Sequence, residues 1–503
     1  MTGASPGSRA GFWLAIGVAA LCLFTAGGSM TSTDGVAAFD LTQSLVERHS
    51  IAASRDIVGK EAYRGLDGRY YSPFGIAQSI WNVPFYLAGR TVAHSLRGRT
   101  AAAVPKAVVA LGTIPAVALL AWTSFELLLV LGAAPVQAAD AAILAVFATP
   151  LWPYSGFGFD QPLAGLFLWT GILCAARARR GELAAAVCAG IFTGLAGLTR
   201  QEMFAAAVLL LVFVFAQRGR RWAAATAFLF GFAPLVSAWG YYNWIRFGSV
   251  WDSGYLRDAT PQYASSMVSG AAGLLFSGYS SLFLYCPVAI LAVAGLLAMN
   301  RRAQSAAWLF VGVFAGFFLL YASLGNWMGG RSYGPRYLVP LIPALVLPLA
   351  FWSPSGWKQR CAALVLAVSV AVQLPGVLVD YSKVRVSAAR AGETTAQDMR
   401  WSRAPLLLNA RATLAIVPPA AAALVGLRPV PRVPPGTATL DEALAAAPDL
   451  WWVSLLYLGV IGRGTAVAVA AGLLLIGFAA LRRGRRLAAA SSTLPRTLEA
   501  RPC

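Results

Sequence analysis

The sequence predicts an all-α polytopic membrane protein, and three observations carry that expectation. Of its 503 residues, 58% are hydrophobic and only 12% are charged, against roughly 45–50% and about 25% in ordinary soluble domains. Mean hydropathy is +0.65. The apolar residues also fall in runs suited to bilayer crossings of roughly 20 residues each. A soluble globule, a disordered chain and a fibrous repeat are excluded by the same figures.

The charge balance, 40 Lys+Arg against 20 Asp+Glu, leaves a formal net charge of +20. On a soluble chain that surplus would suggest nucleic acid. Here the basic residues stand in short clusters between apolar runs, which is the positive-inside pattern of a membrane protein. No nucleic-acid partner is expected. The clusters 177–180, 218–221, 301–302, 358–360 and 482–486 are expected in the cytoplasm. The six cysteines are scattered and form no CxxC or Cys/His spacing, so neither a zinc site nor a disulfide framework is indicated.

Taken in order, the first apolar run follows Arg9 and reads as an uncleaved transmembrane helix. Candidate spans are 12–29, 74–93, 107–130, 138–154, 161–176, 183–199, 203–216, 222–242, 280–299, 305–324, 337–352, 359–379 and 452–480. About 11 to 13 crossings are therefore expected. Counting from Arg9 and counting back from the basic clusters give opposite sides, so one run between 73 and 154 is expected not to cross. The segments then facing out are 30–73, 154–160, 200–202, 243–279, 325–336 and 380–451, and they hold most of the acidic residues. The working face is expected there. Segment 1–380 reads as a catalytic membrane module, 381–451 as an outer segment with Trp451-Trp452 as an aromatic-belt pair at its exit, and 452–503 as the last span with a basic tail.

The outer segments hold the candidate site residues. After Asp34, apolar residues at 36, 37, 41, 45 and 46 follow helical spacing and predict an amphipathic helix over 35–47 at the membrane surface. Asp34 opens it, either as its N-cap or as a carboxylate placed to act as general base on a lipid-borne substrate; both roles are compatible. Asp160 precedes Gln161-Pro162, where it could cap a helix or serve chemistry or a metal, since a carboxylate near the hydrocarbon boundary is costly. Arg200 and Glu202 separate two spans and read as an internal pair. Adjacent Tyr70 and Tyr71 read as boundary anchors beside Arg69, which could hold a phosphate. Asn243, Arg246 and glycines 248 and 254 form a turn-like segment. In Gly329-Gly330-Arg331-Ser332-Tyr333-Gly334-Pro335-Arg336, glycines let backbone N–H groups converge on an anion while Arg331 and Arg336 can grip phosphate.

The order of these segments resembles the GT-C membrane glycosyltransferases, specifically the superfamily of protein O-mannosyltransferases and lipid A aminoarabinose transferases. The matching features are Asp34 after the first span, Gly68-Arg69-Tyr70-Tyr71-Ser72-Pro73-Phe74-Gly75 and Trp152-Pro153-Tyr154 before Asp160. Leu198-Thr199-Arg200-Gln201-Glu202, Tyr242 to Gly248, Gly329 to Arg336 and Asp449-Leu450-Trp451-Trp452 extend the series over most of the chain. The resemblance implies a GT-C-like bundle with juxtamembrane helices in the first outer loop. It also implies a polyprenyl-phosphate sugar donor and transfer on the periplasmic face of the inner membrane. A catalytic Asp in the first outer loop belongs to that pattern, usually followed by Glu, where this chain has Gly35.

With that reading, Asp34 is the expected base and Asp160 a second acid that orients acceptor or sugar. Arg69, Tyr70, Tyr71, Arg246, Arg331 and Arg336 are the expected donor-binding residues. A single base without a carboxylate nucleophile would favour inversion. The acceptor could be a lipid, a glycan or a protein. A divalent ion could be held by Asp34, Asp160 and outer-loop carboxylates, and no other cofactor is indicated. Two other classes share the features: a transporter or flippase of a lipid-linked sugar, which needs the arginines but no base, and a non-catalytic subunit of an envelope polysaccharide complex.

Overall fold

The structure, a computed structural model, describes residues 6–30, 32–59, 62–96, 98–217, 219–255, 266–330, 332–381, 384, 401–431, 444 and 447–492. The protein is an all-α bundle with one two-stranded hairpin among the described residues. Seven helices are long and apolar enough to cross a membrane: Ser8–Thr25, Ala101–Val130, Arg221–Phe247, Gln304–Ala322, Trp357–Leu378, Pro405–Leu424 and Arg463–Ser491. Five shorter apolar helices accompany them: Pro135–Phe147, Leu183–Thr199, Gln201–Phe215, Met267–Phe276 and Pro287–Asn300. A multi-pass membrane protein follows directly, because a helix satisfies its own backbone polar groups where no water can.

The packing rests on small residues. Helices Leu183–Thr199 and Arg221–Phe247 cross so closely that a side chain on Gly190 would meet the carbonyl of Phe228, and one on Gly231 would meet that of Val187. Lipid tails are as apolar as leucine, so close backbone approach replaces the hydrophobic drive between helices. The first and last long helices also pack along each other, which ties the two ends of the chain into one body. Trp451 and Trp452, expected at an aromatic belt, donate their indole N–H groups to Leu23 O at 2.8 Å and Phe24 O at 2.9 Å. Those carbonyls lie in the last turn of the first helix, where the chain's own ladder runs out.

Several expected spans take another form. Segment 337–352 is no single helix but short turns, Arg336–Leu341, Pro343–Val346 and Leu347–Phe351. Pro340, Pro343 and Pro348 remove the N–H groups a continuous helix needs. The segment survives at depth because it is buried in protein, and Trp169 donates to the Pro340 carbonyl at 2.9 Å. The run 138–154 is interrupted in the same way: Pro135–Phe147 ends before Thr149-Pro150, and a short helix Leu151–Tyr154 follows. Conversely, the segment expected outside, 381–451, contains the long apolar helix Pro405–Leu424. Its Pro418-Pro419 pair sits inside that helix.

The first outer loop folds back on the bundle. The expected surface helix is present as Thr33–Gln43, continued by a wide turn, Ser44–Arg48. Its buried face is not purely apolar: Asp40 is fully buried, accepting from the Ser54 N–H at 2.7 Å and pairing with Arg48 at 3.2 Å. The hydroxyls of Thr42 and Ser79 tie this helix to Ile76–Ala93 through Ser79 O at 3.0 Å and Ala38 O at 3.1 Å. At the far end of the turn, Tyr86 donates its hydroxyl to Glu47 at 2.5 Å. That bond, then the Gln43 amide, holds the Glu47 carboxyl below its ordinary value of 4.5. Such a group stabilises the fold above its ordinary value, and the contribution is lost as pH falls through the lowered one. Tyr86→Phe is expected to remove that acid-side dependence. Urea midpoints measured between pH 3 and 6 would check it: equal slopes in the variant and the wild type would refute the link.

Candidate active site

One region of the bundle gathers charges from four separate stretches of sequence. The helix Thr33–Gln43 supplies Asp34. Its N-cap is Ser32, whose hydroxyl accepts from the Gly35 N–H at 3.0 Å. The expected capping role of Asp34 is therefore corrected: the cap is taken two residues earlier, by Ser32, and the Asp34 carboxylate is left free to pair in the interior. The first turn lies against the 157–159 loop. A side chain on Gly35 would come within 3.0 Å of the Gly158 carbonyl. This contact gives a steric reason for Gly35 at the place where the resembling family usually carries a second carboxylate.

Asp34 pairs with Arg336 at 3.1 Å, and each side chain is 11% exposed. Arg336 starts the proline-broken segment, next to Tyr337, whose ring stacks on Tyr321 at 5.2 Å. The rings of Phe159 and Tyr337 each lie 5.3 Å from its guanidinium carbon. Burial pulls the Arg336 pKa down, but the Asp34 carboxylate and its neighbours more than offset it, so the guanidinium stays charged.

Asp160 stands at the N-cap position of Gln161–Ala178 but makes no capping bond with its side chain. Its carboxylate is taken by Arg200, at 2.8 Å. Arg200 in turn holds Glu202 at 2.7 Å, and Tyr321 donates to Glu202 at 3.2 Å. The expected Arg200–Glu202 pair is thus present, with Asp160 as a third member. Arg200 can reach both because it ends the helix Leu183–Thr199 in extended backbone and Glu202 opens the following turn. Burial pushes the Asp160 carboxyl above the usual carboxylate range; Arg200 pulls it back, and the neighbouring Asp34 adds to the rise. Asp34 and Asp160 therefore share one electrostatic neighbourhood with two arginines.

Beside this network lies a narrow cleft of about 10 Å³. Asp160, Arg200 and Glu202 line it, together with Phe74, Trp239, Tyr242 and Arg246. Arg246 is buried and spends three donors on protein: Ser72 O at 2.5 Å, Tyr242 O at 3.0 Å and Asn243 Oδ1 at 2.7 Å. It braces the cleft wall. The hairpin Tyr63–Arg64/Tyr70–Tyr71 holds the remaining expected residues. Arg69 is two-thirds exposed and faces Asp67 at 3.6 Å; Tyr70 accepts from Arg55 at 2.7 Å; Tyr71 donates to Asp67 at 2.7 Å. Arg331 lies outside the described residues.

Among the described residues, no three His, Cys, Asp or Glu side chains gather as metal ligands. Asp34 and Asp160 each face a guanidinium instead, and a cation so close to each of two oxygen donors opposes a dication. The residues as arranged do not fit a divalent ion. Arg200, Tyr321 and Tyr337 were not singled out for the site by sequence. Arg200 carried a signal, an arginine and a glutamate two residues apart between apolar runs; the tyrosines, inside or beside apolar runs, carried none.

No protein-family model matches the chain, and no curated protein matches it. Among solved structures it is similar to ArnT from Cupriavidus metallidurans bound to undecaprenyl phosphate, at 16% identity and TM-score 0.46, over 95% of this chain and 77% of that one. The apo state of the same protein gives 14% and 0.49, over 94% and 75%. The apo oligosaccharyltransferase of Archaeoglobus fulgidus gives 12% and 0.45, over 76% and 58%. At that level of likeness no residue role or ligand transfers.

Proposed function

We propose that this chain is an integral membrane glycosyltransferase of the GT-C class. It moves a sugar from a polyprenyl-phosphate donor to an acceptor on the periplasmic face of the inner membrane, with inversion. One observation carries the reading: Asp34, the expected base, and Arg336, an expected phosphate ligand, meet in a shielded ion pair although they lie far apart in sequence. The order of motifs shared with the GT-C transferases supports the same assignment.

The chemistry asks for three things. As the acceptor oxygen bonds to the anomeric carbon, its proton passes to Asp34. The bond from that carbon to the phosphate oxygen breaks, and the polyprenyl phosphate leaves with one more negative charge. Arg336 neutralises that charge from a fixed position, which is worth more in a water-poor site than in bulk water. With one base and no carboxylate nucleophile, attack comes from the face opposite the phosphate and the anomeric centre inverts. Asp160, held by Arg200 on the cleft wall, orients a hydroxyl of the acceptor or the sugar. Arg246 steadies the aromatic side of the same cleft.

The test uses the full chain in proteoliposomes, a panel of polyprenyl-phosphate sugars labelled in the sugar, and a membrane extract as the source of acceptors. Label should pass from one donor into a glycosidic product, with free polyprenyl phosphate formed in equal amount. Movement of labelled lipid across the bilayer with no new glycosidic bond would make the chain a flippase and overturn the reading.

A further inference from the structure

The guanidinium of Arg336 is held between aromatic rings and a carboxylate. Two aromatic rings lie near its central carbon, and Asp34 holds the Nη1 end at 3.1 Å. On the edge formed by Nε and Nη2, Nε is buried and makes no hydrogen bond among the described residues. A buried donor left unmade costs about 1–3 kcal/mol, so a structure keeps one where an acceptor is due to arrive. The residue beside that edge is Gly329, at φ +74°. A side chain there would come within 3.5 Å of Nε, and the glycine keeps one off that atom. The next residue, Gly330 at φ +67°, faces open space.

Resting on the transferase reading, we infer that Arg336 is a two-edged bridge: Asp34 stays on Nη1 while a phosphate oxyanion docks side-on to the Nε/Nη2 edge beside Gly329-Gly330. A planar guanidinium presents two parallel N–H groups to an oxyanion on one edge and still has donors at its other end. Base and leaving group are then fixed relative to each other by one rigid cation. The charge account also closes. Before transfer, Asp34, Arg336 and the donor phosphodiester carry −1, +1 and −1; afterwards a protonated Asp34, Arg336 and the phosphate monoester dianion carry 0, +1 and −2. The sum is unchanged, so the negative charge passes from one edge of Arg336 to the other as the proton crosses to Asp34.

Binding of undecaprenyl phosphate to the full chain in nanodiscs tests the arrangement without requiring turnover. Arg336→Lys keeps a charge that can face Asp34 but has no side-on edge, and is expected to weaken binding by about 10–100-fold. Asp34→Asn leaves the phosphate edge intact and is expected to change binding by less than about threefold. Tightening by Asp34→Asn of more than about tenfold would mean that phosphate must displace the carboxylate from Arg336, and the bridge would be refuted. Wild-type affinity in Arg336→Lys would refute it as well. Should the lysine variant fold poorly, Arg336→Ala with added guanidinium serves instead: recovery of binding by guanidinium and not by ethylammonium supports the edge, and equal recovery by both overturns it. Inorganic phosphate binding as tightly as the lipid would make this a site for free phosphate rather than the lipid headgroup. Failure of the wild type to bind undecaprenyl phosphate at all would instead count against the transferase reading itself.

Discussion

Asp34→Asn is expected to lower glycosyl transfer by about 10²–10⁴-fold, the usual share of a general base, with donor binding nearly unchanged. The structure separates this substitution from helix capping. Because Ser32 holds the cap of the Thr33–Gln43 helix, the change removes a proton acceptor without removing a cap. The loss should fall on kcat rather than KM, since the carboxylate acts only as the acceptor proton moves. Transfer at near wild-type rate by Asp34→Asn in proteoliposomes would remove Asp34 from the chemistry, and Asp160 would become the remaining carboxylate of the cluster. A variant that binds donor normally, forms no product and moves no lipid across the bilayer is the outcome expected of a transferase; continued movement of lipid would instead mark a flippase.

Arg200→Gln should be the most destabilising single change in the site. Arg200 is 11% exposed at its side chain and holds Asp160 and Glu202 at 2.8 and 2.7 Å. Removing it leaves two carboxylates in a poorly solvated pocket with Asp34 close by. Breaking a buried pair from one side costs about 3–5 kcal/mol, largely as the penalty on the charge left behind. Unfolding in detergent micelles by urea or SDS would read the loss. The double variant Arg200→Gln/Asp160→Asn should recover part of it, because it also removes one orphaned charge; no recovery, or a single-variant loss below about 1 kcal/mol, would show that water reaches the triad.

What was legible from composition and periodicity was the fold class. Apolar runs must become self-satisfied helices in a bilayer, and that constraint is local enough to read along the chain. Where runs contain prolines the reading fails in both directions. Pro340, Pro343 and Pro348 break a buried segment that looks like a span, whereas Pro418-Pro419 lie inside a long apolar helix of the segment expected outside. Whether a proline stops a helix depends on what satisfies the freed carbonyls, as Trp169 does for Pro340, and that partner is remote in sequence.

The site divides along the same line. Sequence alone determined that acids and arginines stand in segments between apolar runs, where a charge needs a reason, and so it brought Asp34, Asp160 and Arg336 forward as candidates. Tertiary structure decided their partners: Arg336 for Asp34, Arg200 for Asp160, protein carbonyls for Arg246, and Asp67 for the hairpin's Arg69 and Tyr71. It also supplied the aromatic walls, because Tyr321 and Tyr337 acquire a polar role only once folding places Glu202 and Arg336 against them. The physical reason is the range of the forces involved. The cost of a charge in apolar surroundings belongs to the residue and its neighbours in sequence, whereas its compensation is a contact of about 3 Å that only the assembled bundle can make.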